Sequence, residues 1–295
     1  MGSSDSILAG IGATILAVAL AVCGFAFCCM PATTHWLASQ VSTGEGSPYT
    51  HDQLVQLADV TRTYTVDQNS IEGSWAGCEV VATTLECARE ASAEGSPKAD
   101  QWNAAAKEVL AQSVDDISPD VTVQKLSEVS DRYALDSAAM THLDDCYRAI
   151  SGVSSWLGMI VVAALLVVIL LFVRKQFAAV AFMLRAGPVF LVAVLAILGL
   201  WAVIDFNGLF AVFHSFFFED GTWTFPADSL LISMYPLDFW QGMAGVWAAG
   251  AIGLGVLCFI GGCAASWRAK QQAAELAAEA ARAAKKTKKG KKNRG

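Results

Sequence analysis

Four stretches of the chain run uncharged for longer than a water-soluble core element needs. They are "ILAGIGATILAVALAVCGFAFCCM" (7–30), "SSWLGMIVVAALLVVILLFV" (154–173), "GPVFLVAVLAILGLWAVI" (187–204) and "MAGVWAAGAIGLGVLCFIGGCAAS" (243–266). At a rise of about 1.5 Å per residue, roughly 18 residues cross a hydrocarbon core of about 30 Å. Backbone inside lipid must satisfy its own hydrogen bonds, so each run predicts a helix. The pattern is that of an all-α membrane protein with four transmembrane helices. The first run follows "MGSSDS", which has no Lys or Arg, and it exceeds a signal-peptide core in length. It is expected to stay as an uncleaved span.

Between these runs the apolar positions become periodic. Residues 31–153 predict a mostly helical extracytoplasmic domain between the first two spans, opening with the polar linker "PATTHWLASQVSTGEGSP". Thr50 with Gln53 forms a capping box, and Leu54, Leu57 and Val60 follow as an apolar stripe. That places His51 in the first turn of a surface helix and asks nothing of it, nor of His35 just beyond the first span. Residues 70–128 form an acidic, Ala/Ser-rich insertion of short helices. "LDSAAMTHLDDCYRAISGV" then reads as a helix capped by Asp136 or Ser137 that runs into the second span, its apolar face made by Ala139, Leu143, Cys146 and Ile150. In 205–242, Phe206, Phe210, Phe213 and Phe217 recur at the helical period. Eleven of the 37 residues in 206–242 are aromatic and none is Lys or Arg, the composition of an interfacial segment. Small residues recur every four positions at Ala9, Ala13, Ala17 and Ala21, and at Gly245, Ala249 and Gly253, and predict close helix packing within the chain.

Charge then orients the molecule. The loop between spans two and three holds Arg174, Lys175 and Arg185 and no acid, and residues 267–295 hold ten Lys/Arg against Glu275 and Glu279. Residues 31–153 hold 19 acids and 7 bases, and 206–242 four acids and no base. The positive-inside rule puts both termini in the cytoplasm and both long connections outside. The net charge of −7 is the average of a basic inside and an acidic outside. The tail reads as an alanine-rich helix followed by a disordered polybasic end. Its partner is expected to be anionic inner-leaflet lipid, at about 1 kcal/mol per basic residue. No recognition module for nucleic acid accompanies it. Of the eight cysteines, Cys23, Cys28, Cys29, Cys258 and Cys263 lie in spans, and Cys78, Cys87 and Cys146 outside them. A Cys78–Cys87 disulfide is expected on the oxidising face. No CxxC metal pair is present, and no metal or cofactor is expected.

Two histidines offer chemistry. His142 precedes Asp145 by three residues, so the carboxylate shares its helix face and can fix the imidazole tautomer, while Asp144 points to water. His214 sits in "FHSFFF" at the lipid boundary, with Asp205, Asp228 and His142 as prospective partners. Each has a plainer explanation, an aromatic anchoring belt for one and a helix-surface contact for the other. Cys146 lies one helical turn from His142, so a Cys–His pair is also geometrically open.

"THLDDC" (141–146), "FHSFFF" (213–218), Trp223 and "DSLLISMYPLDFW" (228–240) resemble the motifs of a bacterial integral membrane family that includes the lipoprotein intramolecular transacylases. His142, Asp145, Phe213, His214, Phe217, Trp223, Asp228, Leu231, Ile232, Pro236 and Phe239 match its pattern, while Leu143, Cys146 and the acidic insertion depart from it. The resemblance implies a four-span fold. It also implies acyl transfer from a glycerol oxygen of a diacylated lipoprotein to the α-amine of its lipidated cysteine, in the bacterial cytoplasmic membrane. On that reading His142 is the general base, oriented by Asp145, and His214 polarises the ester or protonates the leaving oxygen. Trp223, Asp205 and Asp228 support the site, and Phe210, Phe213 and Phe217 line an acyl slot. Two other readings stand beside it: a non-catalytic membrane protein whose outer domain binds an envelope partner, and a metal-dependent hydrolase with His142, His214 and an Asp as ligands.

Overall fold

The computed structural model describes residues 3–41, 46–67, 75–112 and 118–292. Among them the chain is all-helical, and four helices are long and apolar enough to cross a membrane. These are α1 (Ser3–Cys28), α7 (Ser137–Val173), α8 (Phe177–Ile204) and α11 (Leu237–Lys292). All but α1 extend well past the apolar runs that predict them. The 37 residues of α7 rise about 55 Å, well beyond a ~30 Å hydrocarbon core. Helix α8 starts at Phe177 rather than 187, running through Arg185, whose charge ends the uncharged run, and through Pro188. Spanning helices tolerate such a proline when neighbours cover the freed backbone groups.

The chain divides into two compact units. The first comprises Met1–Gly24, Leu157–Ile197 and Ala249–Gly295. Its contacts rest on small residues: Ala9, Ala13 and Ala17 are all buried, as the four-residue spacing on α1 predicts. Helix α8 meets them at Gly187, where a Cβ atom would come within 2.9 Å of the Ala13 carbonyl oxygen. The stripe on α11 behaves differently. Gly245 and Gly253 have open space where a side chain would be, and α11 packs through Ala251 and Gly255 instead. That corrects the expectation of intrachain packing there. Leu166, Ile169, Val189 and Ile197 are exposed, the inverse of a water-soluble protein and the arrangement lipid demands.

The second unit comprises Phe25–Trp156 and Leu198–Ala248. It holds α2 (Pro31–Gln40), α3 (His51–Val66), α4 (Trp75–Ser92), α5 (Ala104–Gln112), α6 (Pro119–Val129), α9 (Phe206–Ser215) and α10 (Leu230–Met234). The expected linker after the first span is thus largely the helix α2, started by Pro31 at its first position; residues 42–45 lie outside the described residues. The Thr50–Gln53 capping box forms as predicted, with the Gln53 amide donating to Thr50 Oγ1 at 3.3 Å and the Thr50 amide to Gln53 Oε1 at 3.0 Å. The acidic insertion resolves into α4, α5 and α6, which bury Leu85, Leu110 and Leu126; its residues 70–74 and 113–117 lie outside the described residues. Trp102 stacks on Tyr133 at 4.6 Å and donates its indole hydrogen to the Pro48 carbonyl at 3.0 Å.

Three expectations are corrected here. Residues 205–242 are not interfacial throughout. Leu230, Leu231, Met234, Tyr235 and Phe239 belong to the buried core of this unit, and the Tyr235 hydroxyl donates to the Ala58 carbonyl at 2.7 Å. Cys78 and Cys87 are free thiols on the single helix α4. They stand two and a half turns apart, about 13.5 Å along the axis, and a disulfide spans only about 4.4–6.8 Å between Cα atoms. Finally, the basic tail stays helical to Lys292 rather than becoming disordered after its alanine-rich part, with residues 293–295 outside the described residues.

Candidate active site

His142 comes from the start of α7. That helix begins where Asp136 Oδ1 accepts the Ala139 amide hydrogen at 2.8 Å, the cap the sequence predicts. Ala139 and Leu143 turn into the core of the unit, and the neighbouring face leaves His142 only 9% exposed. His214 comes from the last turn of α9. Asp205 caps this helix by accepting from the Gly208 amide at 2.8 Å. Asp205 is therefore spent on the backbone and is no partner for the imidazole. His214 is 7% exposed.

The two rings meet. Their centroids are 6.3 Å apart and their planes 27° from parallel. The aromatic residues around them come from one segment. Phe210, one turn before His214 on α9, lies 3.9 Å from it ring to ring, and Trp223 lies 4.9 Å from it. Phe218 stands 4.8 Å from His142 and 5.6 Å from His214, and Phe225 stands 5.5 Å from His142. The amides of Phe217 and Phe218 both donate to the His214 carbonyl, closing the helix, and the chain then reverses at Gly221. Gly221 has φ +85°, a conformation that glycine adopts without steric cost.

Of the expected acyl-slot residues, Phe210 packs over the pair. Phe213 and Phe217 are about half exposed, with Phe213 touching His214 at 5.8 Å. Phe218 and Phe225, which spacing did not single out, stand closer to His142. The signal for Phe218 was present in the unbroken "FFF", but helical periodicity cannot rank rings that lie in the turn after the helix.

Hydrogen bonding separates the two imidazoles. His214 Nδ1 lies 2.9 Å from the Phe210 carbonyl oxygen. A carbonyl only accepts, so Nδ1 carries the hydrogen and the neutral ring presents Nε2 as a lone pair. Burial holds the His214 pKa below its ordinary range, with the Phe210 hydrogen bond pulling the other way. His142 has Nε2 at 3.6 Å from Cys146 Sγ, the Cys–His contact that one helical turn allows. Its Nδ1 is buried and has no hydrogen-bond partner among the described residues. An unpaired buried polar atom costs about 1–3 kcal/mol.

The carboxylates are not where the sequence placed them. Asp145 accepts from Arg148 at 2.7 Å and makes no hydrogen bond to His142, because the same i,i+3 spacing serves both partners and arginine is always charged. Asp228 is exposed and pairs with Arg132 at 3.6 Å. Asp144 does not point to water: it accepts from the Tyr64 hydroxyl. The acids that would complete a His–His–Asp ligand set are thus engaged elsewhere. A cleft of about 370 Å³ between α4, α6 and the start of α7 contains no histidine. The imidazole pair lies instead in closed aromatic packing.

The sequence model of the family described as lipoprotein intramolecular transacylase Lit matches residues 100–240, which include both histidines. No curated protein matches the chain by sequence. Among solved structures, the membrane-integral lipoprotein intramolecular transacylase Lit from Bacillus cereus is similar with a TM-score of 0.57 at 15% identity, over 92% of this chain and 99% of that one. Structures of that protein with one histidine changed to arginine or to alanine give TM-scores of 0.55 and 0.54 at 14% and 15% identity, over 93% and 92% of this chain and 96% of each of those. At such identities the likeness is one of fold.

Proposed function

We propose that this Lit-like membrane protein is a lipoprotein intramolecular transacylase, which moves an acyl chain from a glycerol oxygen of a diacylglyceryl lipoprotein to the α-amine of the lipid-bearing cysteine. The observation that carries this reading is the buried imidazole pair, 6.3 Å apart, with His214 held so that Nε2 is a free lone pair. The cysteine amine attacks the ester as its free base, and a neutral imidazole takes one of its protons as the bond forms. In this reading His214 Nε2 takes that proton as the carbon–nitrogen bond forms at the ester carbonyl. His142, neutral at the start, relays it from His214 to the glycerol oxygen as the carbon–oxygen bond breaks, so both imidazoles end neutral. One amide and one hydroxyl replace one ester and one amine, so the reaction balances without water, metal or cofactor.

These roles exchange those the sequence favoured. Asp145 is not hydrogen-bonded to His142, whereas the Phe210 carbonyl orients His214. Acyl donor and acceptor belong to one molecule, so holding them in reacting geometry can supply as much as about 7–11 kcal/mol of the barrier. Packing by Phe210, Phe218 and Phe225 supports the exclusion of water, which would otherwise hydrolyse the ester. Phe216 at 78% exposure and Phe213 at 53% offer an apolar surface suited to lipid chains. The charge asymmetry supports an outward-facing histidine unit with both termini in the bacterial cytoplasm, and a basic tail on anionic inner-leaflet lipid.

Mass spectrometry of lipoprotein N-termini from cells with and without the chain tests the reading. It expects lyso-form N-termini, acylated on the α-amine, only where the chain is present. Identical acylation in both would overturn it.

A further inference from the structure

His214 has a neighbour whose one polar atom bonds to nothing. The indole Nε1 of Trp223 is fully buried and makes no hydrogen bond among the described residues, and its ring lies 4.9 Å from the His214 ring. An indole N–H is a donor and nothing else, and folded proteins seldom leave such a group unsatisfied. Two of the orphaned buried atoms, Trp223 Nε1 and His142 Nδ1, belong to the aromatic group around His214. Asp5, Arg62 and Arg132 also hold orphaned atoms, but each engages an ionic partner, and the orphaned Ser266 Oγ belongs to the other compact unit. Trp223 has no second polar atom with which to do so. Filling space does not explain the indole either, since the surrounding positions are already phenylalanine.

We propose that Trp223 is a catalytic residue, its indole N–H donating a hydrogen bond to the ester carbonyl oxygen. The inference rests on the transacylase reading and adds to it the donor that the reaction lacks. When the amine nitrogen attacks, the carbonyl π electrons move onto oxygen. They return as the bond to the glycerol oxygen breaks. The indole hydrogen is shared with that oxyanion and never transferred, so Trp223 emerges unchanged. His214 cannot fill this role, because its Nε2 is occupied in taking the amine proton. A preorganised donor of this kind acts most strongly where water is excluded.

The test replaces Trp223 in the full chain by 3-benzothienylalanine, which keeps the bicyclic ring and has sulfur in place of the N–H. Trp223→Phe is made alongside. The substrate is a synthetic diacylglyceryl-cysteine peptide in nanodiscs. The expected result is a loss of about 10²-fold in kcat for the benzothienyl variant with KM within about threefold of the parent, the magnitude of removing one oxyanion donor. Turnover within about twofold of the parent overturns the proposal, even if Trp223→Phe is inactive, since the ring's shape alone would then be required.

A binding measurement separates this outcome from failure of the transacylase reading. In a His214→Ala background, affinity is compared for the ester-linked peptide and its ether-linked analogue, which has no carbonyl. A preference for the ester of about 3–10-fold that vanishes in the benzothienyl variant supports the donor, the range expected for one hydrogen bond. No preference with Trp223 present overturns it. Should the parent protein yield no lyso product, the transacylase reading fails and this comparison alone decides the role of Trp223.

Discussion

Tyr64 of α3 donates its hydroxyl hydrogen to the carboxylate of Asp144, two residues past His142 on α7. The bond ties the histidine-bearing helix to the core of its own unit, in which Tyr64 is 9% exposed. A hydrogen bond to a charged acceptor is worth about 1.5–3 kcal/mol, with the lower end fitting the partly exposed Asp144. Tyr64→Phe keeps the ring and deletes the bond. Its thermal midpoint in detergent is expected to fall by several degrees, with a smaller loss of kcat as His142 gains freedom. An unchanged midpoint would show that the tie is idle.

Asp145 yields the opposite expectation. Its carboxylate serves Arg148 in an exposed ion pair, and such pairs contribute little. Asp145→Asn is expected to retain activity within about threefold, far from the 10²–10⁴-fold loss of a catalytic acid or base. Steady-state assay of the variant decides between the geometry and the His-x-x-Asp reading of the sequence.

The pH profile follows from His214. Burial sets its pKa below the usual 6.5, partly opposed by the Phe210 hydrogen bond. The base form is therefore complete at neutral pH, and the base is lost only as pH falls through the lowered value. A plot of kcat/KM against pH should carry the limb of the substrate α-amine near about 7.7–8.0 and a second, steeper limb from His214 only on the acid side of 6.5. Stability takes the same sign. Between the two pKa values the unfolded chain binds the proton more readily, so the contribution present above 6.5 declines as pH drops below it. A second limb centred above 6.5, distinct from that of the amine, would contradict this placement of the ring.

Thiol chemistry distinguishes Cys78 from Cys87. Cys78 is exposed and Cys87 fully buried, and both are free. A maleimide is expected to label Cys78 in the folded protein and Cys87 only after unfolding, with no mass change of two hydrogens on reduction. Recovery of a Cys78–Cys87 cross-linked peptide would contradict the helix that separates them.

The spans were legible because lipid allows a backbone few solutions, and the two caps were legible because Thr50–Gln53 and Asp136 act on their own helix ends. Convergence of His142 and His214 could also be anticipated, since each lies just outside a span on the same expected face. Side-chain partners were not legible. Spacing makes Asp145 a neighbour of both His142 and Arg148, and charge chooses the arginine. The burial of Leu230, Met234 and Phe239 was missed because an aromatic, base-free segment suits a lipid interface and a helical core equally well. The small-residue stripe of α11 shows the converse: Gly245 and Gly253 have the spacing of a packed face and open space beside them.

The central claim is that the imidazole pair moves an acyl chain within one molecule. The most direct measurement incubates purified protein with a synthetic diacylglyceryl-cysteine peptide and locates the acyl groups in the product by tandem mass spectrometry. We expect a product of unchanged mass with one acyl chain moved to the cysteine α-amine. Either His142→Ala or His214→Ala should slow its formation at least about 10²-fold. Released fatty acid, or full activity in both variants, would contradict the account.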